Sequence, residues 1–145
     1  KTDNNMLVQD YLELKTALTK DDQKKASKIA GKLIETINGF DASPYGESQQ
    51  SEIKDILETS LEHAEHIAKS PIDHQREHFK DLSGDMIDLL AITGSSVELF
   101  EQYCPMYDNN KGGSWVSATS KIENPYFGSK MLSCGKVKKE YKASK

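Results

Sequence analysis

From residue 6 to about residue 93, apolar positions recur at alternating spacings of three and four, the period of an amphipathic helix, and breakers divide the run into four segments. The first, 6–19, places Leu7, Tyr11, Leu14 and Leu18 on one stripe. The second, 21–38, turns Ala26, Ile29, Ala30, Leu33, Ile34 and Ile37 inward, with Asp21 and Asp22 at its positive N-terminal end and Gly39 as its stop. A turn-rich stretch containing Asp41, Ser43, Pro44 and Gly46 leads into the third, 47–69, with Ile53, Ile56, Leu57, Ser60, Ala64 and Ile67 as its inward positions. Ser70 is expected to cap the fourth, with Pro71 as its first helical residue, Ile72, Gln75, Phe79, Leu82, Met86 and Leu89 as its stripe, and a stop near Gly94. Connections this short force antiparallel neighbours, so the expected fold is all-α, an antiparallel up-down four-helix bundle over about 6–93.

After Gly94 the periodicity fails, and Pro105, Gly112, Gly113, Pro125, Gly128 and Gly135 break up the chain. The expectation is a loop-rich C-terminal extension over about 94–137, with one helical turn near 96–102, an extended piece at 114–116, and a polar tail at 138–145. Tyr103, Tyr107, Trp115, Ile122, Tyr126, Phe127 and Leu132 supply too much apolar surface for disorder, so the extension should pack on the bundle. A chain of 145 residues suits one domain.

Charge narrows the function classes. With a net charge of −4 and no basic stripe, the chain lacks the electrostatic footprint of a nucleic-acid binder. No apolar run approaches the length of a membrane span. The polar start Lys1-Thr2-Asp3-Asn4-Asn5 fits the stub left by a secretory signal or a lipoprotein tether, and a cloned fragment equally well. No nucleophile elbow, phosphate loop or cysteine-protease signature occurs, so an enzyme is not expected.

The candidate chemistry lies in sulfur. Cys104-Pro105-Met106 and Met131-Leu132-Ser133-Cys134-Gly135 each offer a thiol and a thioether, a donor set that suits Cu(I) or Ag(I) far better than magnesium or calcium. Zinc is less apt, because thioethers are poor zinc ligands. Histidines add possible nitrogen donors. His63 and His66 are three apart on the third helix, and His74 and His78 are four apart on the fourth. Counting from the turn at Ser70-Pro71 sets His63 at the height of His78 and His66 nearer His74. His66 and His74 sit off the apolar stripe, whereas His63 and His78 border it and are expected to point toward whatever the extension covers. The candidate metal ligands are therefore Cys104, Met106, Met131 and Cys134, with His63, His66 or His78 as an addition from the bundle. An alternative stays open: a Cys104–Cys134 disulfide that pins the extension of a non-catalytic structural or interaction module, contributing about 3–4 kcal/mol.

Tyr103-Cys104-Pro105-Met106, Trp115, and the run from Ile122-Glu123-Asn124-Pro125-Tyr126-Phe127-Gly128 through Met131-Leu132-Ser133-Cys134-Gly135 resemble a bacterial domain family of unassigned function. The resemblance continues upstream through His63-Ala64-Glu65-His66 and Gln75-Arg76-Glu77-His78-Phe79. That family occurs as small exported proteins and as fusions to the periplasmic adaptors of Cus-type copper and silver efflux pumps. The resemblance implies a helical bundle in the bacterial envelope, periplasmic or anchored as a lipoprotein. It further implies a part in heavy-metal homeostasis and an efflux component as a possible partner. No adaptor hairpin or barrel segment is present, so the chain looks like the stand-alone form.

Overall fold

A computed structural model describes residues 1–144. Four long helices come first: α1 (Asn4–Thr19), α2 (Gln23–Asn38), α3 (Glu47–Lys69) and α4 (Ile72–Thr93). Their ends follow local chemistry. The carboxylates of Asp3 and Asp22 accept from the backbone N–H of Met6 and Lys25, satisfying donors that have no partner within the first turns of α1 and α2. Pro71 is the N-cap of α4, and Ser70 instead closes α3, one position away from the expected arrangement. The shift is small because Pro71 is extended (φ −68°, ψ 163°), so the helix begins only at Ile72.

The stripes close a core in which Tyr11, Leu14, Leu18, Leu33, Ile53, Ile67, Phe79 and Leu89 are fully buried. Gln75, read as an inward position, is indeed fully buried, and its amide donates to the carbonyls of Ile67 and Gln23 and to Ser27 Oγ. One polar side chain thus ties α2, α3 and α4 together where their ends meet, satisfying backbone carbonyls there.

The extension corrects the all-α expectation. The chain is predominantly helical, but β1 (Leu99–Cys104), β2 (Gly113–Ser117) and β3 (Lys136–Tyr141) form an antiparallel sheet in the order β2-β1-β3. Residues 99–102, expected to be helical, belong to β1, and residues 138–141, expected to be a polar tail, belong to β3. The extended piece expected at 114–116 lies within β2. Consecutive helices pack most extensively, α1 and α4 meet only sparsely, and β2 rests against both of these. The sheet therefore covers the side of the bundle that the helices leave open.

Two anchors hold it there. The Tyr11 hydroxyl, buried between α1 and α4, lies 2.7 Å from Ser83 Oγ and accepts from the Val116 N–H at 3.0 Å. Arg76 on α4 donates to the carbonyls of Leu18 and Pro125 and to Asp21 Oδ1, and Asp21 in turn accepts from the Ser129 hydroxyl. These hydrogen bonds from Ser129 and Arg76 hold the Asp21 carboxyl below its ordinary pKa. Gly128 (φ +55°) packs against this pair, and a Cβ there would collide with the Asp21 carboxylate. Substituting Tyr11→Phe should lower stability by about 1–3 kcal/mol in urea denaturation, because it strands the buried Val116 N–H without an acceptor.

Candidate functional site

The two sulfur-bearing stretches converge. Cys104 ends β1 with its side chain fully buried, and it is joined in a disulfide to Cys134, with the Cα atoms 5.7 Å apart. Cys134 is half-buried. The 30-residue separation is spanned by β2 and a compact return built on Asn124. The Asn124 side chain is fully buried. Its Oδ1 accepts from the N–H groups of Tyr126 and Phe127, and its Nδ2 donates to the Cys134 carbonyl at 2.8 Å. The backbone N–H of Asn124 donates to the Leu132 carbonyl. The Asn-Pro-Tyr-Phe-Gly run is thus an Asx-type turn that fixes where Cys134 lies.

Aromatic residues wall in the same region. Trp115 is fully buried, and its indole N–H donates to Gln102 Oε1 at 2.8 Å from the adjacent strand. Its ring meets Tyr126 edge-on at 5.9 Å, and Tyr126 stacks on Tyr107 at 4.2 Å. A Cβ on Gly135 (φ +147°) would come within 2.9 Å of the Trp115 ring, so only glycine lets the chain run this close after Cys134. Trp115 and Tyr126 accordingly pack against Gly135 and Gly113, the residues next to Cys134 in the chain and opposite Cys104 across the strands.

The thioethers behave differently. Met106 is 50% exposed and Met131 36% exposed. They flank the disulfide in sequence but face solvent, and with both cysteines oxidised the thiolates of the expected donor set are tied up. No group of three or more His, Cys, Asp or Glu side chains among the described residues is arranged to hold a metal ion.

The histidines form a separate cluster. His63 on α3 and His78 on α4 lie opposite one another, with their Nδ1 atoms 3.2 Å apart, as their counted heights require. His66 stacks on His78 with ring centroids 4.5 Å apart and planes 6° from parallel, rather than lying beside His74. His74 is exposed and pairs with Glu77 at 3.4 Å. Burial, together with the neighbouring His66 and His63 rings, depresses the His78 pKa below its ordinary value, which favours the neutral imidazole. The extension packs on α4 through Arg76, Phe79 and Lys80, which contact Pro125, Tyr126 and Asp108 respectively. His63, His66 and His78 lie instead on the α3–α4 seam, and among the described residues no hydrogen bond or ring contact joins them to the disulfide. The expectation that His63 and His78 point under the extension does not hold, because those other residues of α4 meet it.

Sequence reasoning missed the part played by Gln102. This polar residue on an inward position of β1 signals a buried partner, here the Trp115 indole, and β pairing is what brings the two together.

A family model described as a protein of unknown function, DUF3347, matches residues 7–98. The chain belongs to the DUF3347 family. The matched region runs from within α1 through the whole of α2, α3 and α4 and stops where β1 begins, so within the DUF3347 match lie the histidines, while both cysteines fall beyond it. No curated protein and no solved structure matches the chain. No described helix is long and apolar enough to cross a membrane.

Proposed function

We propose that this DUF3347 protein binds a soft monovalent ion, Cu(I) or Ag(I), outside the cytoplasm and sequesters or relays it in heavy-metal homeostasis without catalysing a reaction. Cys104 and Cys134 are the central donors, with Met106 and Met131 as thioether donors at the solvent-facing side. The observation that carries this reading is the convergence of two sulfur-bearing stretches 30 residues apart onto one point, held by the Asn124 turn and walled by Trp115 and Tyr126. Two thiolates and two thioethers match the preference of Cu(I) for polarizable ligands. The disulfide makes loading redox-gated. A dithiol reductant gives two electrons and two protons to the Cys104–Cys134 bond and becomes a disulfide itself, and the ion then displaces the thiol protons. Persistence of the oxidised pair suits the oxidising bacterial envelope that the family resemblance implies, where a periplasmic efflux component is the natural recipient.

The test is an anaerobic Cu(I) titration against a colorimetric chelator. Protein reduced with a phosphine is expected to capture one ion, whereas oxidised protein captures none in competition. Cys134→Ser should abolish capture, and Met106→Leu with Met131→Leu should weaken it about tenfold, equivalent to about 1.4 kcal/mol. If reduced protein competes no better than oxidised protein, the reading fails. The disulfide itself favours a second reading, in which the Cys104–Cys134 pair only staples the sheet of an interaction module. That reading requires the reduced protein to take up no metal.

A further inference from the structure

We propose that His63 and His78 form a second, independent cation site, an imidazole clamp that bridges α3 and α4 and takes a borderline divalent ion such as Zn(II) or Cu(II). The inference rests on geometry in the bundle and not on the sulfur chemistry. Two nitrogens bound to one ion at about 2.0–2.1 Å with a tetrahedral angle stand roughly 3.3–3.4 Å apart. The Nδ1 atoms of His63 and His78 are 3.2 Å apart, so the pair already has nearly the bite a metal needs. Both rings are half-buried at the seam, close enough to solvent for an ion to enter and for water to complete its coordination.

A neighbouring ring restrains His78, and its neutral state leaves a nitrogen lone pair free for an ion. His66 stacks face to face on His78 and restrains its plane, while lying too nearly parallel to aim a nitrogen at the same ion. On the same seam the Asp85 carboxylate accepts from the Thr59 and Ser60 hydroxyls of α3. In the metal-free pair, one Nδ1–H donates to the other Nδ1. Loading moves that proton through solvent to Nε2 of its own ring, so that both Nδ1 lone pairs face the ion and no redox change is required. Imidazole nitrogen suits zinc and copper alike. The site would staple the two helices that the Ser70-Pro71 turn connects.

The experiment uses the oxidised protein, whose thiols are closed, so its outcome is separable from that of the Cu(I) reading. Zinc is titrated while the imidazole nitrogens are followed by NMR, and the melting temperature is recorded with zinc and, separately, with Cu(II). The expected result is a shift of the His63 and His78 Nδ1 signals with His74 unmoved, and a Tm rise of roughly 5–10 °C at a hundredfold excess over Kd. His63→Ala and, separately, His78→Gln should remove the Tm rise, and His74→Ala should retain it. Unmoved His63 and His78 signals, or an undiminished Tm rise in both variants, would overturn the proposal.

Discussion

Replacing Cys104 and Cys134 together by alanine is expected to destabilise the protein by about 3–4 kcal/mol, the loop-closure entropy returned to the unfolded chain by freeing a 30-residue loop. At roughly 2–4 °C per kcal/mol for a chain near this size, Tm should fall by about 10 °C. The loss should concentrate in the extension, because the bundle has its own core in Leu14, Leu18, Leu33, Ile53, Ile67 and Leu89, none of which depends on the cystine. Hydrogen exchange resolves this: amides of β1, β2 and β3 should lose protection while those of α2 and α3 keep it. Equal loss across both regions, or a fall in stability below about 1 kcal/mol, would show that the link does not carry the extension's stability. Reduction of the native protein opens the same loop, so a captured ion would also have to restore what reduction removes.

Trp115→Ala should cost about 3–5 kcal/mol. The indole is fully buried, meets Tyr126 edge-on, and is the partner of Gln102 Oε1. Removing it leaves a cavity and a buried amide oxygen with one partner fewer, and both effects act in the same direction. The cavity lies beside Gly135, the residue after Cys134, so the disulfide should also be reduced faster by a dithiol in this variant. Urea denaturation measures the first effect and the rate of thiol appearance the second. An unchanged reduction rate would mean that Trp115 supports the fold without shielding the cystine.

The helices were legible because their information is local. The segment expected at 47–69 is α3 as found, and the stripes of α1 and α2 supplied their buried faces, since a period of 3.6 needs only neighbours along the chain. The sheet was not legible for two physical reasons. In β1 the inward positions Gln102 and Cys104 are polar or small, so no apolar alternation marks the strand. In β3 no residue is buried, and the strand exists because it pairs with β1 some 35 positions earlier, a non-local event with no signature of its own. The same contrast holds at the sites. Helical rise was enough to bring His63 opposite His78, whereas rise alone could not foresee that the His66 ring would lie over His78 instead of joining His74. The Cys104–Cys134 pairing was one of two alternatives that spacing left open, and tertiary structure brings the two residues together through the Asn124 turn.

The lysine content of β3 has a consequence for behaviour at high concentration. This strand lies at one edge of the sheet, and its backbone would otherwise be a template onto which a second molecule could add a strand. Lys136, Lys138 and Lys139 make that margin cationic, with the Lys138 ammonium over the Tyr103 ring and near Glu101, and the Lys139 ammonium over the Tyr141 ring. Two such margins approaching one another bring like charges together, which discourages fibrillar self-association while leaving the sheet intact within each molecule.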